Sequence, residues 1–201
     1  MRVSFAALSF AAVLLNGCGQ STSAPDVVTR GALCGDASIQ GIVVGDVPGR
    51  GACGISNAVE VDAVAGVFLS QPSLMNCSTA KTLESWVRND AVPTIGKTGG
   101  GLKNMKVVAH YACRTRNNQR GAKLSEHAKG NAIDIAAFRL NDGSEISVLR
   151  DWNNSRRGQI LKKLHKTACG PFGTVLGPKD RFHKDHFHFD TAKHRGGAFC
   201  R

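Results

Sequence analysis

Hydrophobic and polar positions alternate most clearly near the C-terminal end of the chain. In His186-Phe187-His188-Phe189-Asp190 the two phenylalanines share one face of a strand, and His186, His188 and Asp190 share the other. Phenyl rings can anchor such a strand in a core while the imidazoles line a cleft. A second strand is predicted over 131–138, where Ile133 and Ile135 alternate with Ala132, Asp134 and Ala136. The Asn141-Asp142-Gly143 turn is a strong hairpin signal and leads into a short strand over 146–149. β-Branched and apolar runs predict further strands over 59–69, 105–112 and 172–176. Two stretches carry the helical period instead. Over 78–89, Ala80, Leu83, Trp86 and Val87 share a face, with Ser78 or Thr79 as the cap. From Asn153 or Asn154 to about Thr167, Ile160, Leu161 and Leu164 face inward and Lys162, Lys163 and Lys166 outward. Residues 31–54 are rich in glycine and read as a loop-rich cap. No internal repeat is evident. The elements predict an α+β fold: a small, mainly antiparallel sheet with flanking helices.

The N-terminus does not fit this pattern. Arg2 precedes an apolar run from Phe5 to Leu15, too short for a membrane-spanning helix but suited to a signal peptide. Leu15-Asn16-Gly17-Cys18 resembles a bacterial lipobox. The expected organisation is therefore a lipoprotein-type signal at 1–17, a lipid on Cys18, a polar tether over 18–33 and a single domain over 34–201. The six cysteines beyond Cys18 are Cys34, Cys53, Cys77, Cys113, Cys169 and Cys200. An even count in an exported chain predicts three disulfides, in any of 15 pairings. No C-x-x-C occurs, which argues against a cysteine zinc knuckle or a thioredoxin-type motif. The expected location is the periplasm or cell envelope, with the lipid holding the protein at a membrane as a monomer.

The net charge is +11. A basic chain suits a polyanion, but an exported one meets wall and lipid head groups rather than nucleic acid. A secreted metal nuclease would use this charge, yet no nuclease motif is present. A solvated basic surface serves solubility equally well.

The chemistry concentrates in two places. The chain has seven histidines, and three of them lie in His183-Lys184-Asp185-His186-Phe187-His188. The partner stretch is Ser125-Glu126-His127-Ala128-Lys129-Gly130-Asn131-Ala132-Ile133-Asp134. Asp134 has only Ala132 and Ala136 beside it on its face of the strand, and a lone buried carboxylate there needs a cation or a basic partner. His127, Asp134 and His188 together offer two nitrogens and one oxygen, a set that suits zinc. Three protein ligands leave one position open, as in catalytic rather than structural zinc sites. His110 lies in an apolar strand and reads as a satisfied core histidine. His165, His194 and Glu126 read as surface residues.

S-x-H-x-x-G-x-A-x-D, as Ser125 to Asp134, resembles the first motif of the zinc D-Ala-D-Ala peptidases and their lysostaphin and hedgehog relatives. His186-Phe187-His188 is similar to their H-x-H motif, and His183-x-x-His186-x-His188 to the spacing in penicillin-insensitive murein endopeptidases. SEHAKGNAID, FGTVLGP and DHFHFD resemble the bacterial extensin-like C-terminal domain family, over about residues 50–201. With six prolines and no Ser-Pro repeat, the chain is no plant wall glycoprotein. The resemblance implies a metallopeptidase core with zinc on His127, Asp134 and His188. It leaves the proton-transfer group open among Asp185, three residues before the last ligand, and His186 or His183. The strand pattern favours His186, with Asp185 orienting a histidine. An arginine in a Y-R-S segment of such relatives holds the carbonyl or a substrate carboxylate; Arg114, in Tyr111-Ala112-Cys113-Arg114, stands in a similar place.

The expected activity is zinc-dependent hydrolysis of amide bonds in peptidoglycan peptides, at a crosslink or a stem terminus. The other reading is a non-catalytic wall-binding or structural module stabilised by zinc.

Overall fold

The computed structural model describes residues 31–154 and 156–201. The signal, the lipobox and residues 18–30 of the expected tether lie outside the described residues. The sheet already begins at Gly31, inside the span expected to be tether.

Strands β1 (Gly31–Leu33), β2 (Asp36–Pro48), β3 (Gly54–Val64) and β4 (Val67–Met75) form an antiparallel meander. The glycine-rich span 31–54 is thus mostly strand, not a loop cap. Its glycines mark bulges: the β2–β3 register shifts at Gly41 and again around Gly45. A Cβ on Gly41 would meet the Glu60 carbonyl oxygen at 2.0 Å, so the close approach of β3 requires glycine. The predicted strand over 59–69 is two strands, folded back at Ala65-Gly66, both with positive φ.

Helix α1 (Cys77–Trp86) follows, capped by Asn76 rather than Ser78 or Thr79; the Asn76 side chain accepts from the Thr79 N–H at 2.8 Å. It runs through a π turn (Val87–Ala91) into the single turn α2 (Val92–Ile95). This crossover returns β5 (Leu102–Ala109) parallel to β4. The remaining elements are β6 (Ala132–Leu140), β7 (Glu145–Ser147), the single turn α3 (Val148–Asp151), α4 (Arg157–Ala168), β8 (Thr174–Leu176), β9 (Phe187–Asp190) and β10 (Phe199–Cys200). Asn154 serves the start of α4 as expected, its Oδ1 accepting from the N–H groups of Arg156 and Arg157 at 3.0 Å. The sheet order is β1-β2-β3-β4-β5-β6-β9-β8-β10, with β7 on β6; β4–β5 and β8–β10 are the parallel pairs. Among the described residues no helix is long and apolar enough to cross a membrane.

The core lies on one face of the central strands. Phe187 and Phe189 of β9 are fully buried, as are Ile133 and Ile135 of β6. Trp86 of α1 meets Phe189 edge-on at 5.1 Å, and Phe172 stacks on it at 5.0 Å. Leu83 of α1 and Leu161 and Leu164 of α4 complete the cluster. The helices therefore cover the phenylalanine face, and the opposite face is left for chemistry. Three disulfides pin the periphery: Cys34–Cys77 joins the β1–β2 turn to α1, Cys53–Cys113 joins the β2–β3 loop to the segment after β5, and Cys169–Cys200 joins the end of α4 to β10.

Candidate metal centre

Register builds the first half of the site. Antiparallel pairing sets Asp134 of β6 opposite His188 of β9, and Ala132 opposite Asp190. All four side chains leave the sheet on the face away from the phenylalanines. His127 comes from a short 3-10 turn, Glu126–Lys129, opened by Ser125 and closed by Gly130 in the left-handed region at φ 67°. His127, Asp134 and His188 are all buried, and their ligand atoms lie within 4.8 Å of one another.

Tautomers follow from the outward nitrogens. His127 Nδ1 lies 2.6 Å from the His110 carbonyl oxygen, which only accepts, so Nδ1 carries the proton. His188 Nε2 lies 2.9 Å from Asp190 Oδ2 and donates there for the same reason. In the neutral rings the inward atoms, His127 Nε2 and His188 Nδ1, are then bare lone pairs 3.1 Å apart. Asp134 Oδ1 adds another at 3.2 Å and 2.9 Å from them. Converging lone pairs in a buried place repel unless a cation sits among them. A carbonyl and a carboxylate behind the two imidazoles are also the usual supports of metal-ligating histidines. The residues therefore fit a divalent metal with one oxygen and two nitrogen ligands.

Without a metal the same demand falls on a proton. Burial opposes charge on His188, but hydrogen bonds to Asp134 and Asp190 outweigh it and push its pKa up to about 9. Burial likewise opposes ionisation of Asp134, and its close polar contacts with His127 and His188 hold it well below the usual carboxylate range.

Other groups gather around this triad. His186 Nε2 lies 3.7 Å from Asp134 Oδ2, and its Nδ1 donates to the exposed Asp185 at 2.7 Å. Asp185 therefore orients His186 and points outward. His183, buried, is held in the same way by Asp180 at 2.7 Å, with its ring 5.0 Å from that of His186 and 5.6 Å from that of His188. Arg114 Nη2 stands 4.0 Å from Asp134 Oδ2. Thus His186, His183 and Arg114 stand around the three candidate ligands, and Asp185 reaches the site only through His186. A cleft of about 640 Å³ opens onto His127 and His188, with Arg114, Arg116, His183 and His194 among its walls.

The model of the extensin-like protein C-terminus family matches residues 37–201. The chain belongs to this family. No curated protein and no solved structure matches it. The matched span of the extensin-like domain begins in β2, somewhat before the expected start near residue 50, and holds every residue of the centre.

Several residues of the extensin-like domain differ from their sequence reading. Glu126 is no surface residue: it lines the cleft, accepts from Asn131 Nδ2 at 2.7 Å and pairs with Lys129 at 3.6 Å. His165 is half-buried against Trp152 and Phe187, with burial lowering its pKa. His194 is exposed but lines the cleft and meets Thr174 Oγ1 at 2.9 Å. His110 is the satisfied histidine expected, its Nδ1 accepting from the Leu74 N–H at 3.3 Å. Its carbonyl, which fixes His127, leaves no trace in sequence. Asp190 falls on the predicted site face, but its bond to His188 was not foreseen; nor was that of Asp180 to His183, although D-x-x-H spacing signals the latter.

Proposed function

We propose that the domain is a zinc-dependent peptidase of the cell envelope, acting on amide bonds of peptidoglycan peptides. One observation carries the reading: the ligand atoms of His127, Asp134 and His188 converge within 4.8 Å of one another where His127 and His188 meet an open cleft, with an oriented histidine, His186, beside Asp134 that is not needed as a ligand. The resemblance to the D-Ala-D-Ala peptidase and murein endopeptidase group supports it, as do three disulfides suited to an oxidising compartment.

His127 Nε2, Asp134 Oδ1 and His188 Nδ1 would hold the ion. Zinc supplies Lewis acidity toward water and toward the scissile carbonyl. His186 donates Nδ1–H to Asp185, so its Nε2 faces the site with a free lone pair. That nitrogen accepts the proton from the attacking water and returns it to the leaving amine as the C–N bond breaks. Arg114, beside Asp134, steadies the substrate oxygen. His183 packs against His186 and, held by Asp180, keeps that ring in place. An N-terminal lipid on Cys18 belongs to the same reading and would hold the enzyme near its polymer.

The test is digestion of purified sacculi, with mass spectrometry of the released fragments. New amino termini are expected with the native protein and none after chelation. His186→Ala should retain zinc and lose about 10²–10⁴-fold in rate. A zinc-loaded native protein that releases no new amino termini from any wall preparation would leave a wall-binding module instead.

A further inference from the structure

The cleft has a basic wall whose charge the metal centre does not use. Residues 114–124 leave the site and return as a small flap, closed by the Thr115–Leu124 bridge and by the Arg116 N–H bonded to the Lys123 carbonyl at 2.9 Å. Thr115 Oγ1 donates to the Gln119 carbonyl at 2.7 Å across its interior. The Cys53–Cys113 disulfide fixes its base. Four cations lie on this flap, Arg114, Arg116, Arg120 and Lys123, and no acidic residue occurs between Cys113 and Ser125. Arg114 stands beside Asp134, at 4.0 Å, and already has its part in the peptidase reading. Arg116, Arg120 and Lys123 are exposed, and among the described residues none of them has an ion-pair partner. Arg116 and Asn117 line the cleft itself.

The acids of the cleft are all engaged elsewhere: Glu126 with Asn131 and Lys129, Asp180 with His183, Asp190 with His188. They bond to or adjoin residues of the metal centre, whereas Arg116 lines the flap side of the cleft with no acidic partner among the described residues, and Arg120 and Lys123 follow on the same flap, outside the cleft's lining. We propose that the flap is a substrate-selecting subsite for an acidic peptide, holding side-chain or terminal carboxylates on Arg116, Arg120 and Lys123 while a neutral stretch of that peptide crosses the metal centre. This deepens the peptidase reading and rests on it for the word substrate. A uniformly charged phosphate polymer fits less well, because its remaining charges would fall on Glu126, Asp180 and Asp190.

The experiment measures binding rather than turnover. Acetyl-Ala-Glu-Ala-Glu-Ala-amide and its diamide counterpart acetyl-Ala-Gln-Ala-Gln-Ala-amide are titrated into the full protein, followed by amide chemical shifts. The diacid should bind the more tightly and shift residues 114–124. Its binding should weaken as ionic strength rises from about 0.01 M to about 0.15 M and the screening length falls from about 30 Å to about 8 Å. Arg116→Gln/Arg120→Gln/Lys123→Gln should weaken the diacid about tenfold, the combined effect of several exposed charge contacts, with Tm and diamide binding unchanged. Equal binding of the two peptides, binding of neither, or tripolyphosphate binding more tightly than the diacid would each overturn the proposal. Hydrolysis of neutral and acidic wall peptides at equal rates would also remove the flap as a selector and leave the peptidase reading standing.

Discussion

At the scale of single residues, the decisive contacts lie one step behind the ligands. Asp190 accepts from His188 Nε2 and so turns Nδ1 toward His127 and Asp134. Replacing it by Asn keeps the size but removes the charge, and lets the amide present a donor to that nitrogen. Zinc affinity should then fall about 10–100-fold, the range for losing such a support, as measured by competition with a chelating dye. His188→Ala and Asp134→Ala should lose stoichiometric zinc altogether. Native affinity in Asp190→Asn would mean that the ring is held by packing alone. The convergence of the candidate ligands was legible for Asp134 and His188 because a strand period puts both on the face opposite the apolar side chains, and for His127, on its 3-10 turn, only through the motif around it. The supports were not, since they depend on rotamers and, for the His110 carbonyl, on a backbone atom that every residue carries.

At the scale of elements, the strands that build the site were readable and the glycine-rich region was not. Phe187 and Phe189 declare which face of β9 is inside, and Ile133 and Ile135 do the same for β6. In residues 31–54 the glycines hide two strands, because a glycine forced by a bulge looks in sequence like one in a loop. Gly130 shows how an element can be required by the site. It closes the 3-10 turn bearing His127 at φ 67°, and a Cβ there would lie 2.4 Å from Ile55 Cδ1 and 3.2 Å from the Asn76 nitrogen. Gly130→Ala must both occupy the left-handed region and push on β3. A loss of roughly 1–3 kcal/mol is expected, read by denaturant unfolding. Because the strain falls on the turn, zinc affinity should drop as well, although residue 130 meets His127 only through the backbone, its N–H donating to the His127 carbonyl at 3.2 Å. Unchanged stability would show that Ile55 yields freely.

At the scale of the whole molecule, the α+β class and the count of disulfides followed from the sequence, whereas the pairing could not, since spacing alone does not bring Cys53 beside Cys113. The three bridges divide the work differently. Cys34–Cys77 and Cys169–Cys200 tie elements of the sheet and helices, while Cys53–Cys113 anchors the segment that leads directly into Arg114. Mapping of disulfide-linked peptides should recover these three pairs. Removing either of the first two by paired Cys→Ala substitution should lower stability by roughly 2–4 kcal/mol and leave diacid binding as it was. The Cys53–Cys113 bridge closes a loop of comparable span, 60 residues apart against 43 and 31, so the effect of Cys53→Ala/Cys113→Ala on stability should be similar. Its distinguishing effect is local: the base of the flap is freed, Arg116 loses its fixed place at the cleft, and diacid binding should weaken severalfold while zinc stoichiometry is kept. If all three pairs of substitutions change diacid binding alike, the bridge at Cys113 has no special part in shaping the cleft and acts on stability alone.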